Sequence, residues 1–169
     1  MQISYAKPSI TNLEISYVND AITNGWGENC YDYINRFEKE LCSFLGSKHV
    51  IATSSCTGAI TLGFEALKLK LGRDLRVGVC DTNWVATIAP FYHSNATITL
   101  IDVDLKDWSI CTEDLLRCVN QIDVLVITHL YGNVANVELI RNICQDNGII
   151  LIEDCAEAIG AHFQGVHVG

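Results

Sequence analysis

Short runs of β-branched residues alternate with helix-type apolar patterns along most of this chain, and this alternation restricts the possible folds more than any other feature. We interpret five runs as buried strands: residues 49–53, 76–80, 97–102, 123–128 and 148–153. Apolar residues at helical spacing predict helices over residues 59–71, 85–94, 112–119 and 137–147. Pro90 is expected to start a turn or a kink in the second of these helices. The pattern predicts an α/β fold with a mostly parallel sheet covered by helices.

Two further helices are expected before the first strand. Residues 11–14 form a Thr-x-x-Glu capping box, and the apolar pattern that follows ends at Gly25. A second helix is predicted over residues 32–45, with Gly46 as its stop signal. We therefore divide the chain into a helical N-terminal segment, residues 1–47, and the first part of a larger α/β domain, residues 48–169.

The chain is short after its last predicted strand. Only residues 154–169 follow it, and their helical periodicity is weak. A parallel strand that is buried on both faces needs helices to cover it. We therefore expect the α/β domain to be incomplete at its C-terminus.

Charge and hydropathy argue against two classes of partner. A formal net charge of −9 is opposite to the basic surface that nucleic-acid binding requires, and no apolar run reaches the length of a membrane span. The first residues lack the pattern of a signal peptide, so we expect a cytoplasmic protein with no nucleic-acid and no membrane partner. The 8 cysteines form no C-x-x-C pair and no zinc-type cluster with histidine, and we expect reduced, mostly buried thiols.

Three predicted strand ends carry residues suited to a ligand, and in open α/β sheets ligands bind at the carboxyl ends of strands. Residues 54–58, Ser-Ser-Cys-Thr-Gly, offer hydroxyl and N–H groups to a phosphate, although such turns more often serve only as N-caps. Trp84 either stacks on a planar cofactor or is a core or rim aromatic. Asp154, beside Glu153 and Glu157, suits either a protonated ring nitrogen or an ordinary structural partner. No G-x-G-x-x-G follows a strand, which argues against a dinucleotide site.

Six short motifs occur in the order and register of one known family. They are Gly25-Trp26, Phe37-Glu38, Ser54-Ser55-Cys56-Thr57, Trp84-Val85-Ala86-Thr87, His129-Leu130-Tyr131-Gly132 and Glu153-Asp154-Cys155-Ala156-Glu157-Ala158-Ile159-Gly160. Together they resemble the DegT/DnrJ/EryC1/StrS sugar aminotransferases, which are pyridoxal phosphate (PLP) enzymes of the aspartate-aminotransferase architecture. The resemblance covers essentially the whole chain and implies the N-terminal part of a PLP-dependent transferase large domain.

The resemblance also implies roles for individual residues. Thr57 and Gly58 would bind the PLP phosphate, Trp84 would stack on the pyridine ring, and Asp154 would keep the ring nitrogen protonated. A protonated ring withdraws electrons from the reacting carbon, so Asp154 is the predicted catalytic residue. Glu157 would lie near the ring oxygen, where many relatives carry Gln or His, and this acid resembles the perosamine-type branch of the family. No metal ligand is predicted.

The implied reaction moves an amino group from L-glutamate to a nucleotide-linked 4-keto-6-deoxy sugar, in a homodimer that serves polysaccharide or lipopolysaccharide synthesis. In this family the lysine that binds PLP follows a Ser-Phe segment beyond the region where this chain stops. The lysines present match no such motif: Lys7, Lys39, Lys48, Lys68, Lys70 and Lys106. We therefore expect the chain alone to be inactive.

Two alternatives stay open at this point. One is a PLP-dependent sugar dehydratase, which in this family carries histidine in place of the lysine. The other is a noncatalytic module for PLP or nucleotide-sugar binding or for dimerisation.

Overall fold

A computed structural model describes residues 8–169 of the 169-residue chain, and Lys7 lies outside the described residues. The chain divides into two compact units, one that ends at Ala52 and one that runs from Thr53 to Gly169. The division into residues 1–47 and 48–169 stays a prediction from the sequence. Within residues 8–169, no helix combines the length and apolarity needed to cross a membrane.

The first unit contains two α-helices, α1 (Asn12–Asn24) and α2 (Asp32–Leu45). The predicted capping box is confirmed, because the Thr11 side chain caps the first turn of α1 and Glu14 Oε2 accepts the Thr11 N–H at 2.6 Å. Gly46 ends α2 in the left-handed region with φ 68°, as the sequence predicts. Helix α1 therefore begins at its predicted capping box, and α2 ends at its predicted glycine stop.

The strand predicted at residues 49–53 is wrong. The segment forms no strand and pairs with none of the strands found in residues 8–169. The Ala52 N–H donates to the side chain of Glu38 at 2.8 Å rather than to a neighbouring strand. β-branched residues favour an extended backbone, but a strand forms only where a second strand accepts and donates its hydrogen bonds.

A four-stranded parallel sheet forms the centre of the second unit. Its strands are β1 (Arg76–Cys80), β2 (Thr97–Ile101), β3 (Val124–Thr128) and β4 (Ile150–Asp154). They lie in the order β2-β1-β3-β4, and every pair is parallel. The predicted parallel sheet is confirmed for these four strands, whose ends differ from the prediction by at most two residues. All four carboxyl ends consequently lie at one edge of the sheet.

Four helices accompany this sheet: α3 (Cys56–Leu71), α4 (Val85–His93), α5 (Thr112–Cys118) and α6 (Val137–Asp146). Helix α3 begins three residues before the predicted Ala59, because Ser55 serves as its N-cap and accepts the Gly58 N–H at 3.0 Å. The turn expected at Pro90 is not found, since α4 continues through it, and the alternative of a kink stays a prediction. A proline removes one hydrogen bond from a helix, and burial of the Pro90 ring offsets that loss here.

Apolar side chains pack on both faces of the sheet, because successive strand residues point to opposite sides. One face carries a cluster built around Phe64 and Phe91, whose rings meet edge-on with centroids 4.9 Å apart. The central strands contribute four valines to this cluster: Val77, Val79, Val124 and Val126. On the other face, Leu125 and Ile127 pack with residues of α5 and α6. The result is a three-layer α/β/α arrangement.

The weak helical periodicity of residues 154–169 corresponds to no helix. A turn follows β4, and two short strands, β5 (His162–Phe163) and β6 (Val166–His167), then form an antiparallel hairpin. Gln164 and Gly165 have φ values of 51° and 83°. Two successive positive φ values are typical of the tight turns that match the twist of a hairpin. The Gln164-Gly165 turn therefore explains why this segment forms a hairpin and not a helix.

The cysteine prediction is confirmed in one respect and wrong in another. All eight cysteines are free thiols, as expected. Only Cys80 and Cys144 are buried, whereas Cys30 and Cys56 are exposed and the other four are partly exposed. Cys56 is exposed because it belongs to the first turn of α3, at the carboxyl edge of the sheet.

Candidate cofactor site

A cavity of about 260 Å³ opens at the carboxyl edge of the sheet, beside the ends of β3 and β4. It is lined by Cys56, Thr57, Ile60, Trp84, Ala86, Thr87, Thr128, Leu130, Asp154, Ala156 and Glu157. Four of the five residues singled out in the sequence, Thr57, Trp84, Asp154 and Glu157, thus surround one space, and Gly58 is not in the lining. They are distant in the chain and meet because parallel strands end at a common edge.

Asp154 is a buried carboxylate held by three donors. It ends β4 and is 5% exposed. The Thr87 hydroxyl donates to Oδ2 at 2.6 Å, and the Ala156 N–H and the Cys56 thiol donate to Oδ1 at 3.1 and 3.5 Å. Desolvation and the charge of Asp154 raise the pKa of the Cys56 thiol to about 11, so the thiol stays protonated at neutral pH and acts as a donor.

The first turn of α3 presents backbone N–H groups to the cavity. Cys56 and Thr57 line it, and the first N–H groups of a helix have no partner within the helix. The helix dipole and these N–H groups together favour an anionic ligand. The Gly58 N–H is already used by the Ser55 hydroxyl, so the geometry favours Thr57 over Gly58 as a direct phosphate contact.

Trp84 is the N-cap residue of α4 and presents an indole that is 67% exposed. Its backbone N–H donates to Asn83 Oδ1 at 2.7 Å, and Asn83 Nδ2 donates in turn to Thr128 Oγ1 at 3.0 Å. These two hydrogen bonds fasten the Trp84 backbone to the end of β3. The Trp84 backbone is therefore held in place, and its exposed indole borders the cavity, where it can contact a planar ligand.

Glu157 ties two turns of the site together. Its Oε2 accepts the Tyr131 N–H at 2.7 Å. Tyr131 has a positive φ of 54°, which is a strained conformation for a residue with a side chain. The Glu157 carboxylate therefore stabilises this backbone conformation, in addition to lining the cavity.

A cluster of His129, Glu153 and Cys155 lies beside Asp154 and escaped the sequence analysis, because its members are not at metal-ligand spacing. One potential ligand atom from each lies within 4.8 Å of the others. His129 is fully buried and its Nδ1 accepts the Ala135 N–H at 3.3 Å, which places the ring proton on Nε2. Nε2 then donates to Glu153 Oε2 at 3.1 Å.

Hydrogen bonds explain why these three residues lie together, and no metal ion is needed for the explanation. A metal would need the His129 Nε2 lone pair and a Cys155 thiolate. The His129 hydrogen bond instead keeps the pKa of the Glu153 carboxyl below its usual value, as a charged acceptor. Burial and the neighbouring carboxylates raise the pKa of the Cys155 thiol to about 12. The cluster is best described as a hydrogen-bonded group that stabilises the end of β4.

The residues around the cavity fit PLP. Its ring nitrogen, its aromatic ring and its phosphate match the buried Asp154 carboxylate, the exposed Trp84 indole and the N-terminus of α3, respectively. A carboxylate has about four acceptor positions, so the three donors on Asp154 leave capacity for one more. Within residues 8–169, no lysine belongs to the lining.

Comparison with known sequences identifies relatives over almost the entire chain. Residues 8–169 match the model of the DegT/DnrJ/EryC1/StrS aminotransferase family. The chain is 33% identical to the GDP-perosamine synthase of Vibrio cholerae over 164 residues, which are 96% of this chain and 44% of that protein. It is 29% identical to the GDP-perosamine synthase of Escherichia coli O157:H7, again over 96% of this chain and 44% of that protein. The chain therefore spans less than half the length of these curated relatives.

Solved structures share the fold. An aminotransferase of Helicobacter pylori involved in the biosynthesis of pseudoaminic acid superimposes with a TM-score of 0.89 at 21% identity, over 100% of this chain and 45% of that one. An E. coli GDP-4-keto-6-deoxy-D-mannose-3-dehydratase with bound hydrated PLP gives 0.86 at 24% identity, over 97% and 43%. The expected PLP-transferase fold is confirmed, and it is incomplete relative to these neighbours. Among the neighbours the fold occurs both in an aminotransferase and in a dehydratase. The match over residues 8–169 shows that this chain belongs to the DegT/DnrJ/EryC1/StrS aminotransferase family.

Proposed function

We propose that this chain is the cofactor-binding part of a PLP-dependent enzyme that transfers an amino group from L-glutamate to a nucleotide-linked 4-keto-6-deoxy sugar. The observation that carries the proposal is the single cavity around Thr57, Trp84, Asp154 and Glu157. The curated GDP-perosamine synthases support the choice of a nucleotide sugar. The resemblance of Glu157 to the acid of the perosamine-type branch supports that branch. A cytoplasmic homodimer that contributes to polysaccharide or lipopolysaccharide synthesis belongs to the same proposal.

Each residue of the site has a distinct task in this proposal. Asp154 accepts a hydrogen bond from the protonated ring nitrogen, and Trp84 covers one face of the ring. Thr57 and the adjacent Gly58 form the phosphate site at the first turn of α3, with Thr57 as the direct contact. Glu157 lines the ring-oxygen side and braces the Tyr131 turn. When bound, PLP supplies an electron sink for the carbon that loses its proton during amino transfer.

The Asp154 carboxyl group is the feature on which this chemistry depends. Its oxygens must accept a hydrogen bond from the ring nitrogen in addition to those from the protein. Three protein donors already hold the group in place, and one acceptor position is left for the cofactor.

The first test is a titration of the purified chain with PLP, followed by absorbance and by quenching of indole fluorescence. Asp154→Asn should weaken PLP binding about 10- to 100-fold, since a hydrogen bond to a charged group contributes about 1.5–3 kcal/mol. Asp81→Asn is the matched control, because Asp81 follows β1 but does not line the cavity. Equal PLP affinity in the wild-type and Asp154→Asn chains would exclude Asp154 as the ring partner.

The second test separates amino transfer from dehydration and from simple binding. The reading frame should be sequenced beyond the codon for Gly169 and its product supplied with L-glutamate and a GDP-linked 4-keto-6-deoxy sugar. A lysine after a Ser-Phe segment, with formation of 2-oxoglutarate and an amino sugar, supports the aminotransferase. A histidine at that position, with loss of a sugar hydroxyl, supports the dehydratase. A stop codon after Gly169 supports the binding module.

A further inference from the structure

Thr87 is the polar member of the three buried residues of α4, beside Pro90 and Phe91. It lies in the first turn of α4 and is 2% exposed. Burying a hydroxyl without a partner is costly, so a threonine at such a position is expected to form a hydrogen bond. Its partner is Asp154 Oδ2 at 2.6 Å. This distance is typical of a hydrogen bond between a hydroxyl and an ionised carboxylate.

Thr87 is the strong side-chain donor among the three groups on Asp154. The Ala156 N–H belongs to the turn directly after Asp154 and moves with it. The Cys56 thiol lies 3.5 Å away and is a weak donor. Only the Thr87 hydroxyl therefore joins the carboxylate strongly to a different element of the fold.

The same residue also fixes Trp84. The Thr87 N–H donates to the Trp84 carbonyl oxygen at 3.0 Å, within the first turn of α4. One residue thus hydrogen-bonds through its side chain to Asp154 and through its backbone to Trp84. Thr87 thus connects the Asp154 carboxylate to the Trp84 backbone, in addition to the link that Asn83 makes between Trp84 and the end of β3.

We propose that Thr87 is a positioning residue whose hydroxyl orients the Asp154 carboxylate toward the ring nitrogen of PLP. This inference rests on the proposed function, because it assigns Asp154 and Trp84 to the PLP ring. Thr87 also lines the cavity, but in this role its hydroxyl acts on Asp154 and not on the cofactor. Its effect passes through Asp154 and should disappear when either Asp154 or the ring nitrogen is removed.

The test uses the full 169-residue chain and a set of its variants, with PLP as the titrant. Thr87→Val preserves the shape of the side chain and removes the hydroxyl, and it should weaken PLP binding about tenfold, as expected for one charge-assisted hydrogen bond. Thr87→Ser restores the hydroxyl and should bind PLP within about threefold of wild type. Thr61→Val is the matched control, since the Thr61 hydroxyl bonds only to the Thr57 carbonyl of its own helix.

Two further measurements separate positioning from a general structural effect. A PLP analogue with C–H in place of the ring nitrogen should bind equally well to the wild-type and Thr87→Val chains. Thr87→Val added to Asp154→Asn should cause no further loss of PLP affinity, because coupled residues are not additive. A merely structural role would weaken the analogue and the double variant as well.

The outcomes distinguish this inference from the proposed function. If Asp154→Asn weakens PLP binding but Thr87→Val does not, the Thr87 inference is wrong and the cofactor assignment stands. If the wild-type chain does not bind PLP, or Asp154→Asn has no effect, both are overturned. If Thr87→Val does not fold, Thr87→Cys replaces it, because a thiol keeps the volume and is a much weaker donor. Wild-type affinity in Thr87→Cys would likewise overturn the inference.

Discussion

Removal of the Asp123 carboxylate tests how the sheet is held together at the edge opposite the cavity. Asp123 directly precedes β3, and its side chain is 12% exposed. It accepts hydrogen bonds from the guanidinium groups of Arg73 and Arg76 at 2.9–3.1 Å and from the Arg76 N–H at 2.8 Å. One carboxylate thus clamps the amino ends of β1 and β3, and we choose Asp123→Ala as the perturbation.

The expected cost of Asp123→Ala is about 2–3 kcal/mol of unfolding free energy. Loss of the acceptor for the Arg76 N–H contributes about 1 kcal/mol. The guanidinium groups are 55% and 45% exposed, so water screens each ion pair and each contributes about 0.5–1 kcal/mol. For a chain of this length, the corresponding fall in Tm is about 4–12 °C. PLP affinity should stay unchanged at temperatures where the variant is folded, because the clamp lies at the opposite edge from the cavity.

The effect should also depend on pH, with a sign that follows from the ion pairs. Hydrogen bonds from Arg76 and Arg73 hold the pKa of the Asp123 carboxyl far below its usual value. A carboxyl with a depressed folded-state pKa stabilises the protein above its unfolded-state pKa, and this contribution is lost as the pH falls toward the folded-state pKa. The difference between wild type and Asp123→Ala should therefore be constant from pH 6 to 8 and about 1 kcal/mol smaller at pH 3.

Urea unfolding followed by circular dichroism measures both predictions. Arg117→Ala is the control, because Arg117 is 73% exposed and pairs with Asp114 at 3.5 Å, and this variant should change stability by less than about 0.5 kcal/mol. The reasoning is refuted if Asp123→Ala behaves like Arg117→Ala at pH 7. It is also refuted if the loss in Asp123→Ala is the same at pH 7 and at pH 3.

Two further predictions concern the core and the thiols. In Gly78→Ala, the new Cβ would lie 2.9 Å from Ile122 Cδ1, so urea unfolding should show a loss of about 1–3 kcal/mol, whereas Gly63→Ala, with no atom within 4 Å, should be neutral or stabilising. Equal effects of the two changes would contradict the packing argument. Iodoacetamide at pH 8 should label the exposed Cys30 early and Cys80 late, because burial raises the pKa of the Cys80 thiol to about 12. Early labelling of Cys80 in peptide mass mapping of the folded chain would show that β1 is not buried as described.

Much of the fold follows from local patterns in the sequence. Helix α2 and strand β1 occur at the predicted residues, because hydrophobic periodicity and a terminal glycine report burial and helix ends within a few residues of chain. The capping box at Thr11 is equally local. The family motifs add the residues at the strand ends, which the topology of a parallel sheet then brings to one edge.

Other features depend on partners that no local pattern specifies. Residues 49–53 have strand-like composition but no strand to pair with. The hairpin at residues 162–167 was missed for a different reason, because its two-residue turn is a local signal that helical periodicity does not report.

The sequence by itself determined the alternation of strands and helices, the family and the chemical types of residue at the candidate site. Only the tertiary structure decided which groups touch Asp154. Thr87 is 67 positions away from it, and Cys56 is 98. Periodicity records whether a residue faces the core, but the identity of its partner depends on how the chain crosses from one strand to the next. The donors that hold the carboxylate could therefore be named only once the strands were in place.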